Sequence, residues 1–163
     1  MSAELDELYQ SIILDHNRRP KNFREMEDAT AKADGVNPLC GDQLTVWVRL
    51  DGDQLADVSF RGQGCAISKA SASMMTHVLK GKSRADAEKL FDDVHALVTG
   101  HPTGADVGPL KALGGVSRFP LRVKCASLAW HAMKSALHAV DGAAAPVSTE
   151  DEGPDTNRSG AGA

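Results

Sequence analysis

Two short runs, Leu44–Leu50 and Leu55–Phe60, separated by Asp51-Gly52-Asp53, constrain the fold of this chain more than any other segment. Both are rich in β-forming residues, and the Asp-Gly-Asp junction suits a tight reversal, so the segment reads as a β-hairpin. Alternation in the second run directs Ala56, Val58 and Phe60 to the buried side, with Leu55 out of step.

Helical periodicity surrounds the hairpin. Leu5, Leu8, Tyr9, Ile12 and Ile13 form one stripe that ends before Asn17-Arg18-Arg19-Pro20, because proline disfavours a helical residue ahead of it. The stretch His16 to Pro20 reads as a helix end, with partner docking as an alternative. After Gly62-Gln63-Gly64, the residues Ile67, Ala70, Ser71, Met74 and Val78 recur near 3.6, which puts Cys65 at the mouth of a helix. Met74 and Met75 read as core and flank of that helix. Ser83 with Asp86 resembles an N-terminal cap for a stripe of Ala87, Leu90, Phe91, Val94 and Leu97, broken by Gly100-His101-Pro102-Thr103-Gly104. Beyond Phe119-Pro120, Val123, Leu128, Ala129, Met133, Ala136, Leu137 and Val140 predict a last helix, with Cys125 in its first turns. Trp47 and Trp130 read as packing residues.

The 163 residues suffice for one domain with a sizeable core. The net charge of -4 resides in the segment from Asp141 onward, where five acids face Arg158 alone; residues 1–140 balance 17 bases against 17 acids. Residues 141–163, poor in apolar side chains, read as a disordered acidic tail, leaving 1–140 as the domain. No clustered basic excess and only 4% aromatics argue against nucleic acid as a partner. The acidic start Met1-Ser2-Ala3-Glu4-Leu5-Asp6 is unlike a secretory leader, and no run approaches a membrane span, so a cytoplasmic protein without membrane contact is expected.

Three cysteines in a reducing compartment remain thiols, available for packing, catalysis or metal. Each falls at a joint between elements: Cys40 before the hairpin, Cys65 between strand and helix, Cys125 at the start of the last helix. Free cysteine is also a common core residue, which is the plain alternative. Gly41 after Cys40 and Gly64 before Cys65 free the backbone for left-handed angles, and helix N-termini favour thiolates at Cys65 and Cys125. Together with Asp42 they make a set of three sulfurs and one oxygen that zinc accepts, the carboxylate being the readily exchanged member. Such a site carries a formal charge of about -2 with a divalent cation bound, and Arg122 and Lys124 beside Cys125 are the cations that could face it or an incoming anion. As an ordinary solvated pair they would oppose the helix dipole. Two other classes fit the same residues: a structural zinc module, or a cysteine hydrolase in which Cys65 attacks with His77, His95, His101, His131 or His138 as base.

Four segments carry a resemblance: "CGD" at Cys40–Asp42, "GQGCAIS" at Gly62–Ser68, "FPLRVKCASLAW" at Phe119–Trp130 and "LYQSIILDHNRRPKN" at Leu8–Asn22. In their order and over residues 4–140 the chain resembles the U-type iron-sulfur cluster assembly proteins, and within them the SufU-like branch. The resemblance implies an α+β fold, a small antiparallel sheet covered on one side by helices, with the site at one end. It implies that Cys40 is the sulfur acceptor and that Asp42, Cys65 and Cys125 complete a zinc site. The partners implied are a pyridoxal-phosphate cysteine desulfurase, one histidine of which displaces Cys40 from the metal, and downstream iron-sulfur assembly or acceptor proteins.

Scaffold-type members usually carry histidine before the third cysteine, where this chain has Lys124, and here the Ser83–Gly115 region is enlarged. Both features resemble the SufU-like branch and favour sulfur acceptance over cluster building, because a lysine cannot serve as the imidazole ligand; the resemblance implies a sulfurtransferase-like acceptor rather than a stand-alone enzyme. The alternative is a scaffold that assembles a transient iron-sulfur cluster on the same cysteines and transfers it to apoproteins.

Overall fold

The structure, a computed structural model, describes residues 3–140 and 147–148. Three strands, β1 (Ala31–Asn37), β2 (Asp42–Asp51) and β3 (Gln54–Gln63), form an antiparallel sheet in the order β3-β2-β1. The expected hairpin is β2–β3, closed at Gly52, whose φ of 63° is the left-handed value that glycine tolerates. An irregularity in this ladder between Arg49 and Leu50 corrects the expected alternation. Leu55, Val58 and Phe60 are buried while Ala56 is exposed, because the extra step changes which side chains face the core.

Strand β1 had no clear signature in the sequence. Its inward positions are Ala33, Gly35 and Asn37, small residues that admit a helix at close range. A Cβ on Gly35 would stand 3.0 Å from Leu128 Cδ1. The outer edge of β1 pairs in parallel with β4 (Val147–Ser148), opposite Gly35 and Val36. The expectation of a disordered tail over 141–163 otherwise lies outside the described residues, as do the side chains of Leu5 and Leu8.

The helices α1 (Ala3–Arg18), α2 (Ala66–Leu79), α3 (Arg84–Val98) and α4 (Pro120–Ala139), with a 3-10 segment over Gly108–Arg118, complete an α+β fold. Helices α2 and α4 cover one face of the sheet; Lys32, Gln43 and Arg61 leave the other polar and exposed. Ser83 caps α3 as expected, its hydroxyl accepting from Asp86 N–H at 3.1 Å. Both Met74 and Met75 are buried, so Met75 is core rather than flank. Trp130 is also core, whereas Trp47 stands half-buried on the outer sheet face. Ser71 Oγ donates to the Ala126 carbonyl at 2.6 Å and accepts from Trp130 Nε1 at 3.1 Å, tying α2 to α4. The His16 to Pro20 stretch leads into a segment stapled to α2: His16 Nδ1 lies 2.7 Å from Ser73 Oγ, and Asn22 Nδ2 donates to Thr76 Oγ1 at 3.1 Å.

Candidate metal centre

The sheet delivers two candidate donors at one end. The β1–β2 turn carries Cys40, whose N–H donates to the Asn37 carbonyl at 3.2 Å, and Gly41 follows at φ 73°. That confirms the left-handed angle expected there, and lets the chain turn so that Asp42 begins β2 opposite Asn37. Asp42 is 1% exposed, and both of its carboxylate oxygens are engaged. Oδ1 accepts from the Cys65 N–H at 2.8 Å and Oδ2 from Asn37 Nδ2 at 3.2 Å. A carboxylate this buried needs such donors to offset its lost hydration.

Gly64 serves this arrangement differently from the expectation. Its φ is not left-handed; its contribution is space, since a Cβ there would lie 2.5 Å from Asp42 Oδ1.

Two helices deliver the remaining sulfurs. Cys65 is the N-cap of α2, with its Sγ accepting from Ser68 N–H at 3.5 Å. Cys125 lies on α4 behind the first turn and is fully buried, 3.3 Å from Cys40 Sγ and 3.6 Å from the Leu121 carbonyl oxygen. The helix-terminus expectation therefore holds for Cys65 and not for Cys125. Pairing with the Cys125 thiol, helped by the Ser68 N–H and against burial, lowers the Cys65 pKa to about 6. The same pairing, with burial and the neighbouring Cys40 and Asp42, pushes Cys125 up.

Among the described residues, the donor atoms of Cys40, Asp42 and Cys125 all lie within 4.8 Å of one another. A tetrahedral site with Zn–S near 2.3 Å and Zn–O near 2.0 Å has ligand atoms about 3.5 Å apart, so this set fits zinc in both chemistry and spacing. The Cys65 sulfur stands outside that group of three, beside Cys125.

Arg122, exposed one turn ahead of Cys125, has its own pKa raised by the charges of Cys65 and Cys125 and, to a smaller extent, Cys40. It also lines a groove of 670 Å³ that reaches Cys65 between α1 and the 3-10 segment, with Tyr9, Ile13, Val116 and Phe119. Lys124 is half-buried two positions further along the helix and is not among the residues lining that groove. The histidines lie elsewhere. His95 and His131 pack on Phe91 and on each other, His77, His101 and His138 are exposed, and no histidine is among the residues lining the groove at Cys65, so nothing among the described residues supports the hydrolase alternative.

Sequence reasoning missed Asn37. Its only signal was its place three residues before Cys40, in a strand that the sequence did not announce.

Comparison with known proteins finds the NifU-like N terminal domain family over residues 8–144. The chain is 41% identical to a zinc-dependent sulfurtransferase SufU from Bacillus subtilis, over 86% of this chain and 97% of that one. It is 39% identical to an iron-sulfur cluster assembly scaffold protein IscU from Streptococcus pyogenes, covering 83% and 86%. A crystal structure of a putative iron-sulfur cluster assembly scaffold protein for the SUF system from Fervidobacterium islandicum superposes with a TM-score of 0.75 at 31% identity, over 83% of this chain and 99% of that one.

Proposed function

Because this chain belongs to the NifU-like N terminal domain family, among the SufU and IscU proteins of iron-sulfur cluster assembly, we propose that it accepts sulfane sulfur on Cys40 from a cysteine desulfurase. In this reading Cys40, Asp42, Cys65 and Cys125 hold a zinc ion, which when bound keeps the thiols deprotonated and shielded from oxidation. The observation that carries the reading is the convergence of the Cys40, Asp42 and Cys125 donor atoms at one end of the sheet.

The acceptor step needs no redox partner. The Cys40 thiolate attacks the outer sulfur of the donor's persulfide, the donor's S–S bond breaks, and its electron pair leaves with the donor thiolate. Cys40 then carries the persulfide and its proton. Cys40 suits this role because it sits on a turn at the half-exposed rim, next to Leu39 at 61% exposure, while Cys125 is sealed in the core. Arg122 stands where it can face the negative charge of the exchanging sulfurs.

A purely structural zinc module fits less well, because Trp130, Phe60, Leu55, Met74 and Leu128 already form a hydrophobic core, to which Cys125 adds one buried side chain. Chelation should therefore leave the far-ultraviolet circular dichroism near its starting value. Native mass spectrometry of protein purified without added metal tests the reading directly. One zinc per chain is expected; an iron-sulfur cluster mass would favour the scaffold role, and a metal-free chain would contradict both.

A further inference from the structure

We propose that Asn37 is the positioning residue of the metal centre, its side-chain amide fixing Asp42 against Cys125. The inference rests on the metal-binding reading above. Asn37 closes β1, is fully buried, and is the register partner of Asp42. Its Nδ2 donates to Asp42 Oδ2 at 3.2 Å and to Cys125 Sγ at 3.4 Å, while its backbone carbonyl oxygen accepts the Cys40 N–H at 3.2 Å. One residue thus touches three of the four donor-bearing residues, two of them through a single nitrogen.

The chemistry calls for an amide at this point. A buried carboxylate needs donors to replace water, and the Cys125 sulfur needs one too once metal binding takes its proton and leaves two negative groups side by side. An NH₂ group has two N–H bonds, enough for one to each, and adds no charge and no strong competing ligand. Asp42 is then held at both oxygens, by Asn37 on one side and the Cys65 N–H on the other, so its orientation is set before any cation arrives. Aspartate at 37 would have nearly the same shape and would replace the donor by a third negative group. Alanine would remove the donor and leave a void.

The test uses the full chain and its Asn37→Ala and Asn37→Asp variants, titrated with Co²⁺ and with Zn²⁺ against a chromophoric chelator. Hydrogen bonds behind metal ligands are typically worth about 10–100-fold in affinity, and a loss in that range is expected for Asn37→Ala. Asn37→Asp should bind more weakly still, although it fills the native volume, and the Co²⁺ absorption of both variants should differ from wild type. Wild-type affinity and spectra in both variants would overturn the proposal. So would the reverse order, with Asp milder than Ala, which is what a packing role alone gives. Failure of the wild-type chain to bind either metal would instead defeat the metal reading and take this inference with it. Should the variants not fold, the wild-type chain loaded with NMR-active cadmium decides: the Asn37 side-chain amide should exchange slowly with solvent and couple to the metal through the Cys125 sulfur. A freely exchanging, uncoupled amide would overturn the proposal.

Discussion

The backbone N–H of Cys65 donates to Asp42 Oδ1 at 2.8 Å, joining the first residue of β2 to the cap of α2 across 23 positions of sequence. This bond couples the two halves of the centre, because the donor belongs to the residue whose own sulfur is a candidate ligand. Any change that moves the carboxylate also disturbs the entry to the helix.

Gly64→Ala should break that coupling. The added Cβ would lie 2.5 Å from Asp42 Oδ1 and 3.1 Å from Asp42 Cβ, so the carboxylate must leave the Cys65 N–H. An orphaned buried donor costs about 1–3 kcal/mol, and zinc affinity should fall by about tenfold or more. Thermal melting of the metal-free chain and a zinc competition titration check both numbers; a variant equal to wild type in both would show that Gly64 is only a loop residue.

The thiols of the metal-free chain should titrate far apart. With its pKa lowered from 9.0 to about 6, Cys65 is thiolate at neutral pH, whereas Cys125 remains protonated into the alkaline range. Iodoacetamide should therefore label Cys65 with a midpoint near pH 6 and leave Cys125 unlabelled. The sign for stability follows: between about 6 and 9 the unfolded chain holds a proton on Cys65 that the folded chain has lost, so this group's contribution grows with pH over that window and is lost as pH falls through 6. Cys125 acts oppositely above 9. Peptide mapping after labelling at several pH values, with melts at the same pH, would contradict the assignment if Cys65 reacted only near pH 9.

Much of this centre was readable in the sequence because it relies on local signals. Cys65 follows a glycine and precedes a helical stripe, and Cys40 and Asp42 flank a glycine ahead of a strong β run. Phe119-Pro120 marks the start of the last helix and so places Cys125 near a helix terminus, but pairing with Cys65, then burial and the contacts with Cys40 and Asp42, push its pKa up. Strand β1 and Asn37 escaped because their determinants are tertiary. Ala33 and Gly35 face the core for the room they leave to α4, and a strand chosen for small side chains has no β-forming signature. The place of Leu55 was lost to a ladder irregularity that leaves no mark in composition.

Whether Cys40 receives the sulfur is decided by intact-mass analysis and peptide mapping of the zinc-loaded chain after reaction with a cysteine desulfurase and free cysteine. Sulfur transfer to Cys40 gives a gain of one sulfur atom confined to the peptide containing Cys40, absent in Cys40→Ala even though that chain stays folded. Sulfur on Cys65 or Cys125 with Cys40 unmodified, or undiminished uptake by Cys40→Ala, would contradict it.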